Sequence, residues 1–147
     1  MDAHRFRTGT LVGIGKPRFF FCYGSSVLAR ATPVFLVALG GALGAVARFL
    51  VAGGFARRFG SGWPWGTLFI NLTGCFLIAI FAARISNPQW RYLLPIGFVG
   101  AYTTFSTFEY ETMRLVQVGQ PMGAFAYVLA SNVLGFGAVL LGSWVAK

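Results

Sequence analysis

Acidic residues and histidine are scarce in this sequence. Among its 147 residues only Asp2, Glu109 and Glu111 are acidic, and His4 is the single histidine. Catalytic carboxylate pairs, histidine-based triads and histidine-rich metal sites therefore have little to be built from. We do not expect the protein to be an enzyme.

Cysteine is equally scarce, with two residues, Cys22 and Cys75, far apart in the chain. Cys75 lies in an apolar stretch, where a free thiol behaves as a small hydrophobic side chain. We interpret it as a packed thiol and not as a disulfide partner or a metal ligand. Cysteine usage therefore does not indicate a redox compartment.

Charged residues make up only 10% of the chain, compared with about 25% in soluble domains. Hydrophobic residues make up 56%, and the mean hydropathy is +0.70. These values predict an integral membrane protein. The net charge of +9 is spread over the ends of apolar segments. Contact with the head groups of membrane lipid explains that distribution better than binding to nucleic acid.

Four apolar segments are long enough to cross a membrane as helices. They cover approximately residues 31–52, 67–83, 92–118 and 122–145. The loop between the first two is predicted over 53–66, where Trp63 and Trp65 indicate a membrane interface. In the first segment, Gly40 and Gly44 form a small-residue contact face for another helix.

The domain organisation follows from these segments. Residues 31–147 are predicted to form one all-α membrane domain of four helices. Residues 1–30 fit this pattern poorly because Lys16, Pro17 and Arg18 interrupt their apolar runs. We interpret them as an N-terminal extension, either disordered, lying on the membrane surface or read from a start codon placed too far upstream.

The third segment carries an unusual number of polar groups for a membrane span. Residues 97–111 contain two glycines, Gly97 and Gly100, and four serine and threonine hydroxyls, those of Thr103, Thr104, Ser106 and Thr107. Because lipid does not satisfy polar backbone, this stretch must be buried in protein or line a water-filled path. The glycines permit unusual backbone angles, so we predict a break in the helix over 97–102.

Single polar residues mark the other segments, and each has two interpretations. Arg48 either reaches to the membrane interface or places a fixed positive charge at the mouth of an anion path. Asn71 must find a hydrogen-bond partner, so it either joins two helices or donates to a pore. Phe105 and Phe108 are three residues apart and share a helix face, which usually indicates packing.

Three motifs occur in order along the chain. They are Gly-Gly-Ala-Leu-Gly-Ala-Val-Ala-Arg-Phe at 40–49, Gly-Thr-Leu-Phe-Ile-Asn-Leu-Thr-Gly-Cys-Phe at 66–76 and Gly-Phe-Val-Gly-Ala-Tyr-Thr-Thr-Phe-Ser-Thr-Phe at 97–108. Together they resemble the small fluoride exporters of the Fluc or CrcB family, over residues 34–147. The resemblance implies a dual-topology, antiparallel homodimer in the plasma (inner) membrane, with a broken third helix, two fluoride pores and a structural sodium ion (Na+) at its centre.

The resemblance also implies roles for individual residues. The carbonyls of Gly100 and Thr103 would hold sodium, and the ring edges of Phe105 and Phe108 would flank fluoride. The remaining positions that match fluoride-pore residues of the family are Arg48, Asn71, Thr107, Tyr127 and Ser131. Two positions depart from the family pattern, since Ala101 replaces a second glycine and Gly135 replaces a hydroxyl beyond Ser131.

These residue types suit the proposed ion. Fluoride is small and strongly hydrated, so its path needs close hydrogen-bond donors, which amides and hydroxyls provide. The edge of a phenylalanine ring is electropositive and can face an anion. We therefore expect a passive fluoride channel.

Two alternatives remain open. A proton-coupled small multidrug-type transporter would place an ionisable group in the middle of the membrane, whereas Glu109 and Glu111 follow the phenylalanine pair. A non-transporting helical subunit would not need Asn71 and the hydroxyls of the third segment.

The basic residues also bear on orientation. With the N-terminus inside and residues 1–29 set aside, the inner side holds Arg30, Arg84, Arg91 and Lys147, and the outer side holds Arg57, Arg58 and Arg114. Lysine and arginine bias normally fixes orientation. A balance this even predicts that the membrane domain inserts in both directions.

Overall fold

The computed structural model describes residues 27–147, with side chains from residue 31 onward. The predicted N-terminal extension, residues 1–30, lies outside the described residues, apart from the last few, which form the start of a helix. The described chain is built from helices joined by short turns. The predicted all-α membrane fold is confirmed.

The first helix, α1, spans Val27–Phe59 and is longer than its predicted segment. The loop predicted from residue 53 is wrong for its first part, because the helix continues through Gly53 and Gly54. It ends where Gly60 adopts a φ of 74°, a left-handed conformation that favours glycine. The helix α2 then begins after Pro64 and spans Trp65–Arg84.

The third segment is divided into two halves. Its first half consists of α3 (Pro88–Arg91), a wider π-helical stretch (Tyr92–Val99) and one turn, α4 (Gly100–Tyr102). Its second half is α5 (Phe105–Gln117), and Gly119 then turns the chain into α6 (Pro121–Val145). Between the halves, Thr103 and Thr104 are extended, with ψ angles of 157° and 116°.

The predicted break is therefore present but displaced. It falls on Thr103 and Thr104 and not on residues 97–102, which remain helical. The glycines serve close packing instead, since a Cβ at Gly97 would lie 2.9 Å from the carbonyl oxygen of Val37 in α1. Gly97 thus allows the third segment to approach α1 closely and does not break the helix in which it lies.

The helices pack in two pairs. The first half of the third segment packs on α1, where a Cβ at Gly40 or Gly44 would overlap the backbone of Leu93 or Phe98. The predicted contact face on α1 is thereby confirmed. The other pair is α2 and α6, and there a Cβ at Gly142 would lie 2.5 Å from the carbonyl oxygen of Phe76.

Three helices are long and apolar enough to cross a membrane among the residues that the structure describes. They are Ala31–Phe59 within α1, Trp65–Arg84 and Pro121–Val145. The third segment does not count as one uninterrupted helix because of the break at Thr103 and Thr104. The chain is a multi-pass membrane protein.

Candidate functional site

The break in the third segment is held by Asn71, which lies on the neighbouring helix α2. The Nδ2 group of Asn71 donates to the carbonyl oxygen of Thr104 over 3.1 Å, and the backbone N–H of Thr104 donates to Oδ1 of Asn71 over 2.9 Å. One side-chain amide therefore satisfies both backbone polar groups of an extended residue. Of the two sequence interpretations, the contact between helices is present in the structure.

Thr104 also begins the second half of the segment. Its hydroxyl oxygen accepts the backbone N–H of Thr107 over 3.3 Å and is 2.9 Å from Oγ1 of Thr107. A threonine hydroxyl at this position satisfies one of the free N–H groups that every helix start presents. The α5 helix can therefore start inside the protein.

These hydrogen bonds take the usual backbone donors away from two nearby carbonyls, those of Gly100 and Thr103. In an uninterrupted helix the N–H of Thr104 would bond the carbonyl of Gly100, and the N–H of Thr107 would bond that of Thr103. Here the first N–H donates to Asn71 and the second to the hydroxyl of Thr104. Gly100 and Thr103, the residues expected to hold sodium, thus have carbonyls without their usual helical donors.

The two phenylalanines lie at the start of α5 and differ in their surroundings. Their ring centroids are 5.8 Å apart, which confirms that they share a face. Phe108 is 6% exposed and packs against Tyr127 of α6 at 5.1 Å, whereas Phe105 is 74% exposed. The Phe108 ring is therefore part of the interior of the chain, whereas the Phe105 ring lies on its surface.

Tyr127 connects this aromatic group to a polar cluster. Its side chain is fully buried, and its hydroxyl donates to Glu111 over 2.9 Å. The other carboxylate oxygen of Glu111 accepts from the hydroxyl of Thr67 on α2, also over 2.9 Å. Thr67 and Glu111 line a cavity of about 400 Å³ whose wall includes Trp63 and Arg114.

One helical turn beyond Tyr127 on α6 lies Ser131. Its hydroxyl oxygen is buried and has no hydrogen-bond partner in the part of the chain that the structure describes. Such a group is costly unless something binds it. Further along the same helix, Gly135 is buried, and a Cβ there would lie 3.7 Å from Sγ of Cys75. A small side chain at Gly135 would therefore be in ordinary contact with α2, at the position where the resemblance predicts a hydroxyl.

The structure brings most of the expected residues into one region. Asn71 and Thr107 meet at Thr104, and Phe105, Phe108 and Tyr127 form one aromatic group. Arg48 stands apart from these contacts, half-buried on α1, with no hydrogen bond or ion pair to another described residue.

Sequence reasoning missed two members of the site. Thr67 was not singled out, and Thr104 was noted only as one hydroxyl among four. A signal for Thr67 was available, because it lies four residues before Asn71 and therefore on the same face of α2.

Comparison with known proteins gives a consistent picture. Residues 35–143 match the family described as CrcB-like protein, Camphor Resistance (CrcB). A fluoride-specific ion channel FluC from Acidobacterium capsulatum is 51% identical over 111 residues, covering 72% of this chain and 89% of the relative. The proteins of the same name from Nitrobacter winogradskyi and Aquifex aeolicus are 48% and 45% identical, covering 79% and 74% of this chain and 96% and 92% of the relatives. With most of its membrane domain matched, this chain belongs to the CrcB family.

Proposed function

We propose that this protein is a channel that exports fluoride passively across the cytoplasmic membrane. The relatives named as fluoride-specific ion channels are similar over nearly their whole length. The observation that carries the proposal is the buried, unpartnered hydroxyl of Ser131 on the same helix face as Tyr127. It provides a free hydrogen-bond donor in the interior of a membrane protein.

The pore would run along this polar face and past the phenylalanines. Ser131, Tyr127 and Thr107 carry hydroxyls, and Asn71 keeps a second N–H beyond the one donated to Thr104. These short donors can replace part of the water around fluoride. The edges of Phe105 and Phe108 would face the anion and exclude cations. Arg48 would add positive charge near one end.

The proton-coupled transporter is not favoured, because the similar proteins carry the name of an ion channel. Glu111 is the one half-buried acid in the described chain, and its two oxygens accept from Thr67 and Tyr127. These two hydrogen bonds suit a carboxylate that is held in place as part of the site.

We further propose a fourth membrane crossing and an antiparallel homodimer. The two halves of the third segment together have the length of a span, with the break inside it. Four helices enclose little space, so a second copy would complete each pore. The 74% exposure of Phe105 beside the break supports this arrangement, since a partner would cover that ring. The even distribution of arginine and lysine supports insertion in both orientations.

We also propose that a sodium ion binds at the break. The carbonyls of Gly100 and Thr103 fit a hard cation because their usual helical donors are engaged elsewhere. Two carbonyls per chain, contributed by both copies, would hold the ion at the centre of the dimer and tie the copies together. If so, replacing sodium chloride with N-methylglucamine chloride will lower the unfolding temperature of the purified protein. An equal unfolding temperature in both salts would contradict the sodium site.

Fluoride efflux from liposomes that contain only this protein tests the main proposal. We expect rapid fluoride release and little chloride release, measured with ion-selective electrodes under the same voltage. Equal release of both anions would refute fluoride selectivity. Reporter fusions after Lys147 test the orientation, with activity on both faces of the membrane expected. Activity on one face only would contradict dual topology.

A further inference from the structure

A shallow groove on the outer surface of α1 and α2 is not used by the proposed pore. Its volume is about 370 Å³, and it lies between the last turns of α1 and the first half of α2. Its lining consists of Val51, Gly54, Phe55, Arg58, Phe59 and Phe69. The groove is apolar except for one cation, and that composition needs an explanation.

The spacing of the lining residues creates the groove. Val51, Gly54, Phe55 and Arg58 follow the i, i+3, i+4, i+7 pattern and therefore form one stripe along α1. The ring of Phe69 packs against Phe55 at 5.0 Å and closes the far wall. Gly54 leaves open space beside these two rings, since a Cβ built there would meet no other atom within 4 Å.

Arg58 lies at the end of this groove, in the last turn of α1. It makes no ion pair with another described residue, and the groove lining contains no carboxylate. From Val51 to Arg58 the helix rises about 10 Å. A bound molecule that suits the groove thus has an apolar tail about this long or longer and a negative charge at one end.

We propose that this groove binds an anionic phospholipid, with one acyl chain lying over Gly54 against the packed rings of Phe55 and Phe69 and the phosphate at Arg58. The end of α1 is a suitable depth for a head group, because Trp63 and Trp65 follow it and tryptophan concentrates at the membrane interface. A zwitterionic lipid fits less well, since its ammonium group would lie near Arg58 with no carboxylate in the lining to pair with it.

A second copy of this chain is a poorer occupant. The described chain offers only Glu109 and Glu111 as acids, and Glu111 is engaged by Thr67 and Tyr127. The exposed carboxylate of Glu109 would therefore have to reach Arg58 of the other copy to neutralise its charge. Anionic lipid, in contrast, is present all around the helix.

Native mass spectrometry of the purified protein titrated with dioleoylphosphatidylglycerol or dioleoylphosphatidylcholine tests the proposal. We expect the anionic lipid to be retained in preference to the zwitterionic one. Arg58→Gln should reduce that preference about fivefold, as expected for one basic residue at a membrane surface. Gly54→Leu should reduce retention of both lipids, because its side chain fills the groove.

Two variants serve as matched controls. Arg57 is adjacent to Arg58, but its guanidinium lies beside Gly53, on the side of the 400 Å³ cavity, so Arg57→Gln should retain the preference. Gly137 of α6 is equally unobstructed and lies outside the groove, so Gly137→Leu should bind lipid normally. If Arg58→Gln fails to fold, Arg58→Met also removes the charge and provides the same comparison, whereas Arg58→Lys keeps the charge and should keep most of the preference.

Three outcomes would overturn the proposal. One is equal retention of the two lipids by the unaltered protein, and another is unchanged retention in both Arg58→Gln and Gly54→Leu. The third is efficient disulfide formation between two copies carrying Gly54→Cys in a cysteine-free background, which would show that a second copy covers the groove. None of these measurements depends on fluoride, so the lipid site and the channel function succeed or fail separately.

Discussion

The side-chain amide of Asn71 pairs with both backbone polar groups of Thr104, donating over 3.1 Å and accepting over 2.9 Å. The residues are 33 positions apart in sequence. This pair explains how the third segment is interrupted at Thr104 without leaving the backbone polar groups of that residue unsatisfied. It also makes Asn71 the residue on which the shape of the break depends.

Asn71→Asp should therefore lower both stability and fluoride flux. The carboxylate keeps an oxygen for the N–H of Thr104 but loses the donor to its carbonyl, and it would repel an anion. Leaving a buried carbonyl without its donor costs about 1–3 kcal/mol. Thermal unfolding in detergent and liposome efflux measure the two effects. Thr73→Ser on the same helix is the control, because it keeps the hydroxyl that contacts Tyr102. Unchanged flux in Asn71→Asp would contradict the pore role.

The two phenylalanines should respond differently to the same substitution. Phe108→Ile removes a buried ring that packs on Tyr127, whereas Phe105→Ile changes a ring that is mostly exposed in the single chain. Both remove an electropositive edge, so each should lower fluoride flux about tenfold, the effect of about 1.4 kcal/mol on a barrier. Phe108→Ile should lower the unfolding temperature of the purified protein more than Phe105→Ile does.

The control for this pair is Phe125→Ile on α6, whose ring is 65% exposed and outside the aromatic group. Its flux should equal that of the unaltered protein. Parental flux in both Phe105→Ile and Phe108→Ile, with folding intact, would show that the rings serve packing alone.

Gly74→Ala should disturb the break from the side of α2. A Cβ at Gly74, which is buried, would overlap the methyl group of the half-buried Thr103. Overpacking of this kind costs about 1–3 kcal/mol. Gly137→Ala meets no neighbouring atom and should be neutral or slightly stabilising. Equal unfolding temperatures for the two variants would mean that the break tolerates displacement.

Arg84→Gln should loosen the end of α6. The Nε group of Arg84 donates to the carbonyl oxygen of Ala146 over 2.7 Å, and an Nη2 group reaches that of Val145 over 3.3 Å. A cation at a helix C-terminus contributes about 0.3–1 kcal/mol. Hydrogen exchange should become faster in the last turn of α6, while the turns near Tyr127 remain unchanged. Protection that stays the same in the last turn would contradict a capping role.

The membrane fold could be predicted because it depends on composition and local spacing. Apolar segments indicate the spans. The positions of Asn71, Phe105 and Phe108 within motifs make them candidate site residues, and their role in the pore stays a prediction. The glycines at 40 and 44 indicate a contact face by their spacing alone. Each of these signals is contained within a few residues.

The position of the break could not be predicted in this way. Glycine suggests a bend at Gly97 or Gly100, but Gly97 is needed for close contact with α1 and stays helical. The actual break depends on Asn71, which approaches only after the chain has folded. In the same way, Gly53 and Gly54 suggest a loop, whereas α1 continues to Phe59. A glycine in the sequence does not reveal whether it serves a turn or a close approach.

The interruption at Thr103 and Thr104 has an electrical consequence. It ends one helix and starts another within the third segment, so the peptide dipoles of α5 begin there with their positive end. The interior of the chain thereby gains an electropositive spot made of backbone alone, since no arginine or lysine among the described residues is buried. On the other side of the same two residues, carbonyl oxygens present the negative end of α4. Two extended residues thus place opposite partial charges next to each other in a region where a charged side chain would be costly.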